Sequence, residues 1–158
     1  MSNSVAEPIF EGVASSGESV KLLVFEIGKL TLALPILQVK KVIRQQEVFG
    51  SGMSHVNLTH LNESAVTIVD LHLRLFGKSL TQSESAGYFI LSQSQAGETL
   101  GIVVPQSPSL VDVALEKVRL LPESYRQADT LAIASHVTVL THDDTTTTIF
   151  ILDLTRLM

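Results

Sequence analysis

The chain has 158 residues, a length for one domain or for two small lobes on a shared core, and its 45% hydrophobic content supplies the side chains for that core. Eleven Lys and Arg against 16 Asp and Glu give a net charge of −5, which excludes a general nucleic-acid binder. The chain has no Cys, which excludes disulfides, thiolate zinc centres and cysteine nucleophiles.

No stretch of about 18 apolar residues runs without a polar interruption, so no direct membrane insertion is expected. Met1-Ser2-Asn3-Ser4 begins no secretory signal, and a cytoplasmic globular protein is the expectation. Residues 1–19 are rich in Ser, Gly and Glu and read as a flexible arm, with Ile9 and Phe10 as its apolar exceptions, able to dock as a short strand.

From Val20 the pattern changes. Lys21–Ile27 and Leu30–Leu34 are apolar runs separated by Gly28-Lys29, a pair suited to a type II′ hairpin turn. Pro35 suits the first turn of a short helix from Ile36 to about Lys40. Val42-Ile43 resumes an extended run, and Gly50-Ser51-Gly52 marks a loop. Ala65–Val69 is a strand of β-branched residues; Asp70 follows as the cap of a short helix, Leu71–Phe76, ended by Gly77.

The second half repeats this order. Tyr88–Leu91 and Leu100–Val104 flank a turn at Gln95-Ala96-Gly97-Glu98, and Pro105 follows as Pro35 does. Leu110–Val113 is extended. Leu131–Ile133 through Val137–Leu140 pairs with Thr147–Leu152 across His142-Asp143-Asp144, and Asp153-Leu154 opens a last helical turn. Ile68-Val69-Asp70-Leu71 and Ile151-Leu152-Asp153-Leu154 are the same strand–Asp–helix junction in each half. No strand leads into a helix long enough for a parallel crossover, so the fold class is mainly antiparallel β, as two small barrels.

Catalytic patterns are missing. There is no glycine-rich phosphate loop and no G-x-S-x-G elbow around Ser54-His55 or elsewhere. His55, His60, His72, His136 and His142 lack helical ligand spacing. His142-Asp143-Asp144 offers metal-type donors but equally a solvated hairpin tip, where Asp bonds its own backbone. Asp70 and Asp153 read as helix caps, and Glu26 and Asp112 pair with nothing at a defined separation. Asn57-Leu58-Thr59 and Asn62-Glu63-Ser64 match the glycosylation pattern, which has no meaning without secretion. Lys40, Lys41 and Arg44 form a small basic cluster suited to an acidic protein surface. No catalytic, metal-binding or cofactor-binding residue is expected, and apolar surface remains as the functional material.

Leu22–Phe25, the hairpin and Leu32-Ala33-Leu34-Pro35-Ile36-Leu37-Gln38-Val39-Lys40-Lys41-Val42 resemble the opening of CheW-like domains. Ile68–Leu71 with Leu75-Phe76-Gly77 resemble the end of that family's first lobe; Leu100–Val104 and Ile151–Leu157 resemble its second. The resemblance spans residues 20–158. It implies two SH3-like, five-stranded β-barrel lobes with short helices, lobe one about 20–80 and lobe two about 85–158. It also implies a non-catalytic signalling adaptor, without cofactor, coupling methyl-accepting chemoreceptors to a CheA-type histidine kinase.

By family position Val39 and Val42 lie on the receptor side, supported by Val69-Asp70-Leu71. With Lys41, and with Leu61 and Asn62 at the family's Asn-Leu-Arg-Gly position, they make the expected partner-binding set. That position reads His60-Leu61-Asn62-Glu63 here and lacks the arginine that would form charge-assisted bonds. Val104-Pro105 departs from the usual Val-Asp. Both departures point to a diverged paralogue serving pilus-driven or phototactic motility. A small-ligand-binding β-barrel, or an unrecognised hydrolase or metal enzyme built on His136, His142 and Asp144, are the alternatives.

Overall fold

The computed structural model describes residues 18–44, 56–61, 64–77, 87–93, 97–126 and 131–157. The N-terminal arm through residue 17, Gly50-Ser51-Gly52, Ser54, His55, Asn62, Glu63 and the Gln95-Ala96 part of the second turn lie outside them.

The strands are β1 (Ser19–Ile27), β2 (Leu30–Pro35), β3 (Val39–Arg44), β4 (Val56–Leu61), β5 (Ser64–Val69), β6 (Tyr88–Gln93), β7 (Thr99–Val104), β8 (Ser109–Ala114), β9 (Arg119–Leu120), β10 (Ala134–His142) and β11 (Thr145–Leu152). Helix α1 (Leu71–Phe76) follows β5, and α2 (Glu123–Arg126) precedes β10. Among the described residues they form two sheets, ordered β8-β1-β2-β11-β10-β9 and β3-β6-β7-β5-β4.

The two orders match strand for strand, with the two-residue β9 as an addition, and reveal an exchange. The β1–β2 hairpin joins β8 to β11 of the second half, while the β6–β7 hairpin joins β3 to β5 of the first. The sheets therefore divide the chain at about residues 36 and 106, not between 80 and 85: residues 39–104 build one sheet, and the segments 19–35 and 109–152 build the other. Pro35 and Pro105 stand where the chain crosses between sheets. A proline lacks the N–H needed to extend a ladder, so each sits where pairing ends.

Pairing is mainly antiparallel, but β11 runs parallel to β2 and β5 parallel to β7. No long crossover helix is needed, because the exchanged hairpins bring in partners from the other half. Two local expectations are corrected. The helix after Pro35 is only a 3-10 turn, Ile36–Gln38, because Val39 already enters the β ladder, and Pro35 ends β2 instead of opening the helix. Leu131–Ile133 is a turn, and β10 starts at Ala134.

The turns follow their residues. Gly28 has φ +61 while Lys29 is not left-handed, the pattern of a II′ turn. Asp143 and Asp144 both have positive φ, +48 and +66, the pattern of a I′ turn that favours Asp.

Both faces of the central strands are buried, and residue parity sorts them. One cluster fills the space between the sheets: Phe25, Ile27, Leu32, Leu34, Val69, Ile90, Ile102, Val104 and Leu152 are among its members. Opposite faces of the same strands fill the inside of each curl, with Val66, Ile68, Phe89, Leu91 and Val103 in one and Leu22, Ala33, Val113, Ile149 and Ile151 in the other. Strands buried on two sides read as unbroken apolar runs, which explains Leu22-Leu23-Val24-Phe25 and Ile102-Val103-Val104. The first curl is tightly filled: a Cβ on Gly101 would lie 2.7 Å from Ile68 Cδ1.

The repeated junction takes the same form twice. Asp70 Oδ1 accepts from the Leu73 N–H at 3.0 Å, and Gly77 closes α1 at φ +76. Asp153 Oδ1 accepts from the Thr155 N–H at 3.0 Å and from its hydroxyl at 2.7 Å, capping the final 3-10 turn, Leu154–Arg156. The two junctions also touch, as Arg74 Nη1 donates to the Arg156 carbonyl at 2.8 Å.

Candidate partner-binding site

The chain leaves β2 at Pro35, makes the 3-10 turn and enters β3, which among the described residues is an edge strand paired with β6. Ile36 and Val39 pack against the cluster between the sheets, while Leu37 is thrown outward and is 79% exposed.

Register decides what β3 presents. Val39 pairs with Ser92, but Lys41 pairs with Leu91, so Lys40 is the extra residue of a β-bulge. In a regular strand that kept Lys40 in register, Val39 and Val42, three positions apart, would lie on opposite faces. With it, Val39 opposite Ser92, Val42 opposite Ile90 and Arg44 opposite Tyr88 share the face toward the intersheet seam, as Ile90 belongs to that cluster. Ile43 turns the other way and packs inside the curl. Val42 remains 36% exposed, and the Arg44 guanidinium lies 5.7 Å from the Tyr88 ring centroid. A stripe of aliphatic surface ending in a cation is the result.

Two buried polar atoms beside this stripe have no hydrogen-bond partner among the described residues: Ser92 Oγ, on a fully buried residue opposite Val39, and Gln38 Oε1. A buried polar atom left unbonded costs about 1–3 kcal/mol. Neither atom, nor the Arg44–Tyr88 contact, was marked by the sequence, which reads Ile36 to about Lys40 as a short helix.

The expected site residues are thus distributed as follows. Val39, Lys41 and Val42 share β3, with Lys41 exposed and paired with Leu91. Leu61 ends β4, at the opposite end of the same sheet order, where it pairs with Ser64. Asn62 lies outside the described residues.

The three residues of the enzyme alternative are not gathered in one buried site. His136 is buried in β10, with Ser135 Oγ at 2.7 Å from its Nδ1, whereas His142 and Asp144 are exposed at the β10–β11 tip. His142 Nε2 lies 3.2 Å from Asp143 Oδ2 there. Among the described residues no group of three His, Asp or Glu is placed to hold a metal, and no helix is long and apolar enough to cross a membrane.

A family model described as the CheW-like domain matches residues 21–158. Among solved structures, the scaffolding protein TtCheW from Thermoanaerobacter tengcongensis is similar at a TM-score of 0.67, with 16% identity over 98% of this chain and 91% of that chain. At that identity the likeness is one of fold. No curated protein matches the sequence.

Proposed function

The chain belongs to the CheW-like domain family, and from that premise we propose that it is a non-catalytic adaptor coupling chemoreceptors to a CheA-type histidine kinase in a chemotaxis-like pathway. The family is one of scaffold and coupling proteins. The observation that carries the reading is the Lys40 bulge, which turns Val39, Val42 and Arg44 onto one face beside the exposed Leu37. Aliphatic surface at a sheet edge captures another protein by contact and needs no chemistry.

Receptor and kinase are the proposed partners, with Val39, Lys41, Val42, Leu61 and Asn62 as the contact set. Replacement of the family's Asn-Leu-Arg-Gly by His60-Leu61-Asn62-Glu63 removes one cation and adds an acid. We read this as a paralogue with an altered receptor, in pilus-driven or phototactic motility, acting in the cytoplasm. The test is co-purification of the full chain with each CheA-type kinase of its source cell. Capture of one, lost with Val42→Asp while the thermal melt is unchanged, is expected; capture of none overturns the reading.

A further inference from the structure

The two sheets fill one equivalent position differently. In one, Leu23 pairs with Leu34 and Phe25 with Leu32; in the other, Ile90 pairs with Ile102 and Ser92 with Leu100. Leu23, Leu34, Ile90 and Ile102 all belong to the cluster between the sheets, so Ser92 stands where Phe25 stands. A hydroxymethyl group there takes the place of an aromatic ring, and the residue is still fully closed to solvent. The β3 side of the seam thus has less apolar side chain to fill it and a hydroxyl among its aliphatic neighbours.

Polar groups converge on the same corner. Ser92 faces Val39 across the ladder, and Gln38 is the residue before Val39. Lys40, the residue after it, is the unpaired member of the bulge, where the ladder is locally interrupted. Ser92 Oγ and Gln38 Oε1 are both buried without a partner among the described residues. Left unbonded, each is unfavourable, whereas one water satisfies both, because it donates to an amide oxygen and either donates to a hydroxyl or accepts from it. A cation suits these oxygens poorly: β3 and β6 contain no acid, and Lys40 and Lys41 follow directly.

We infer that the corner at the Lys40 bulge is a binding site for one buried water, which donates to Gln38 Oε1 and bonds the Ser92 hydroxyl. The bridge ties the 3-10 turn to β6 and fixes the strand entry that sets Val39 beside Val42. The hydration site stands on the register and the two side chains; its effect on partner capture rests on the proposed adaptor role.

The test joins a crystal structure of the full chain, at a resolution that shows ordered water, to urea unfolding of Ser92→Ala, Gln38→Leu and the double variant. Density for a water within hydrogen-bond distance of both side chains is expected. Each single variant lowers the folding equilibrium constant about fivefold. The double variant loses little more than either alone, because both side chains serve one bridge. A corner without that density, or a protein group bonding either atom, overturns the site. So does a Ser92→Ala chain more stable than wild type, the result for a hydroxyl that is simply unbonded. Strictly additive losses overturn the bridge. Capture is read separately: Ser92→Ala weakens kinase or receptor capture about threefold, as a less preorganised edge should. Unchanged capture leaves the water in place and overturns its role at the edge, whereas a wild-type chain that captures no kinase fails the adaptor reading and leaves the hydration site standing.

Discussion

β3 and β8 occupy the same place in the two sheets. Each is the first strand after a proline crossing, each forms the outer edge, and each pairs antiparallel with the first strand of an exchanged hairpin. They are finished differently. β8 keeps an unbroken register with β1 from Ser109–Val24 to Ala114–Ser19, and its acid is matched across the ladder by Lys21 Nζ, 3.5 Å from Asp112 Oδ1. β3 carries a bulge and three cations with no acid in the strand. Equivalent position with unequal finish separates what the architecture demands from what has been added: an edge strand is required twice, a displaced register and a purely basic set of charges within the strand once.

The largest expected effect tests the cores behind the two edges. Ile68 is fully buried inside the curl of the sheet containing β3, so Ile68→Asp costs several kcal/mol, upward of about 4, and abolishes a cooperative urea transition. Val24, opposite Ser109 of β8, is half-buried, and Val24→Asp is expected to leave a weakened but measurable transition. Equal losses would mean that the β8 side is as closed as the other.

Deleting Lys40 addresses the bulge itself. Without the extra residue, Val39, Lys41 and Val42 face Ser92, Leu91 and Ile90 in unbroken alternation, so both valines keep the seam face and stability in chemical denaturation is expected to change by less than about 1 kcal/mol. A loss of several kcal/mol would show that Lys40 is not the extra residue of the ladder. Next, Val42→Asp is expected to weaken kinase or receptor capture at least tenfold, about 1.4 kcal/mol. Leu110→Asp on β8, where the leucine is 56% exposed, should leave capture unaltered. If both variants bind alike, the asymmetry of the edges has no functional meaning.

The matching caps give a smaller contrast. Asp70→Ala and Asp153→Ala each cost about 1 kcal/mol in denaturant unfolding, with Asp70 the larger because it is fully buried whereas Asp153 is only partly covered. Smallest is Lys21→Ala, expected within about 0.5 kcal/mol by the same measurement, because both partners of that ion pair are half or more exposed.

Local structure was readable wherever a residue type carries its own geometry. Gly28 announced the hairpin, Asp70 and Gly77 bracketed α1, and the recurrence of the junction at Asp153 disclosed the duplication. The exchange of hairpins was not readable, because nothing in Leu30–Leu34 says that Thr31 will meet Ile149 instead of a strand of its own half. The proposed partner-binding stripe was half readable. Val39 and Val42 follow from family position, but their common face depends on a single unpaired residue, and alternation of residue types does not record a bulge. The clasp between Arg74 and the Arg156 carbonyl is silent for the same reason: each residue merely looks like a cation near a helix end.

Exchange of hairpins also dictates an order of events during synthesis. Strands β3 to β7 are contiguous and can close their sheet as soon as Val104 clears the ribosome, but the β1–β2 hairpin, made first, must keep its apolar faces uncovered until β8 and finally β11 emerge. Non-local closure of this kind is slow. The first-made hairpin of the two sheets is thus the last to be covered, which exposes it to aggregation during synthesis.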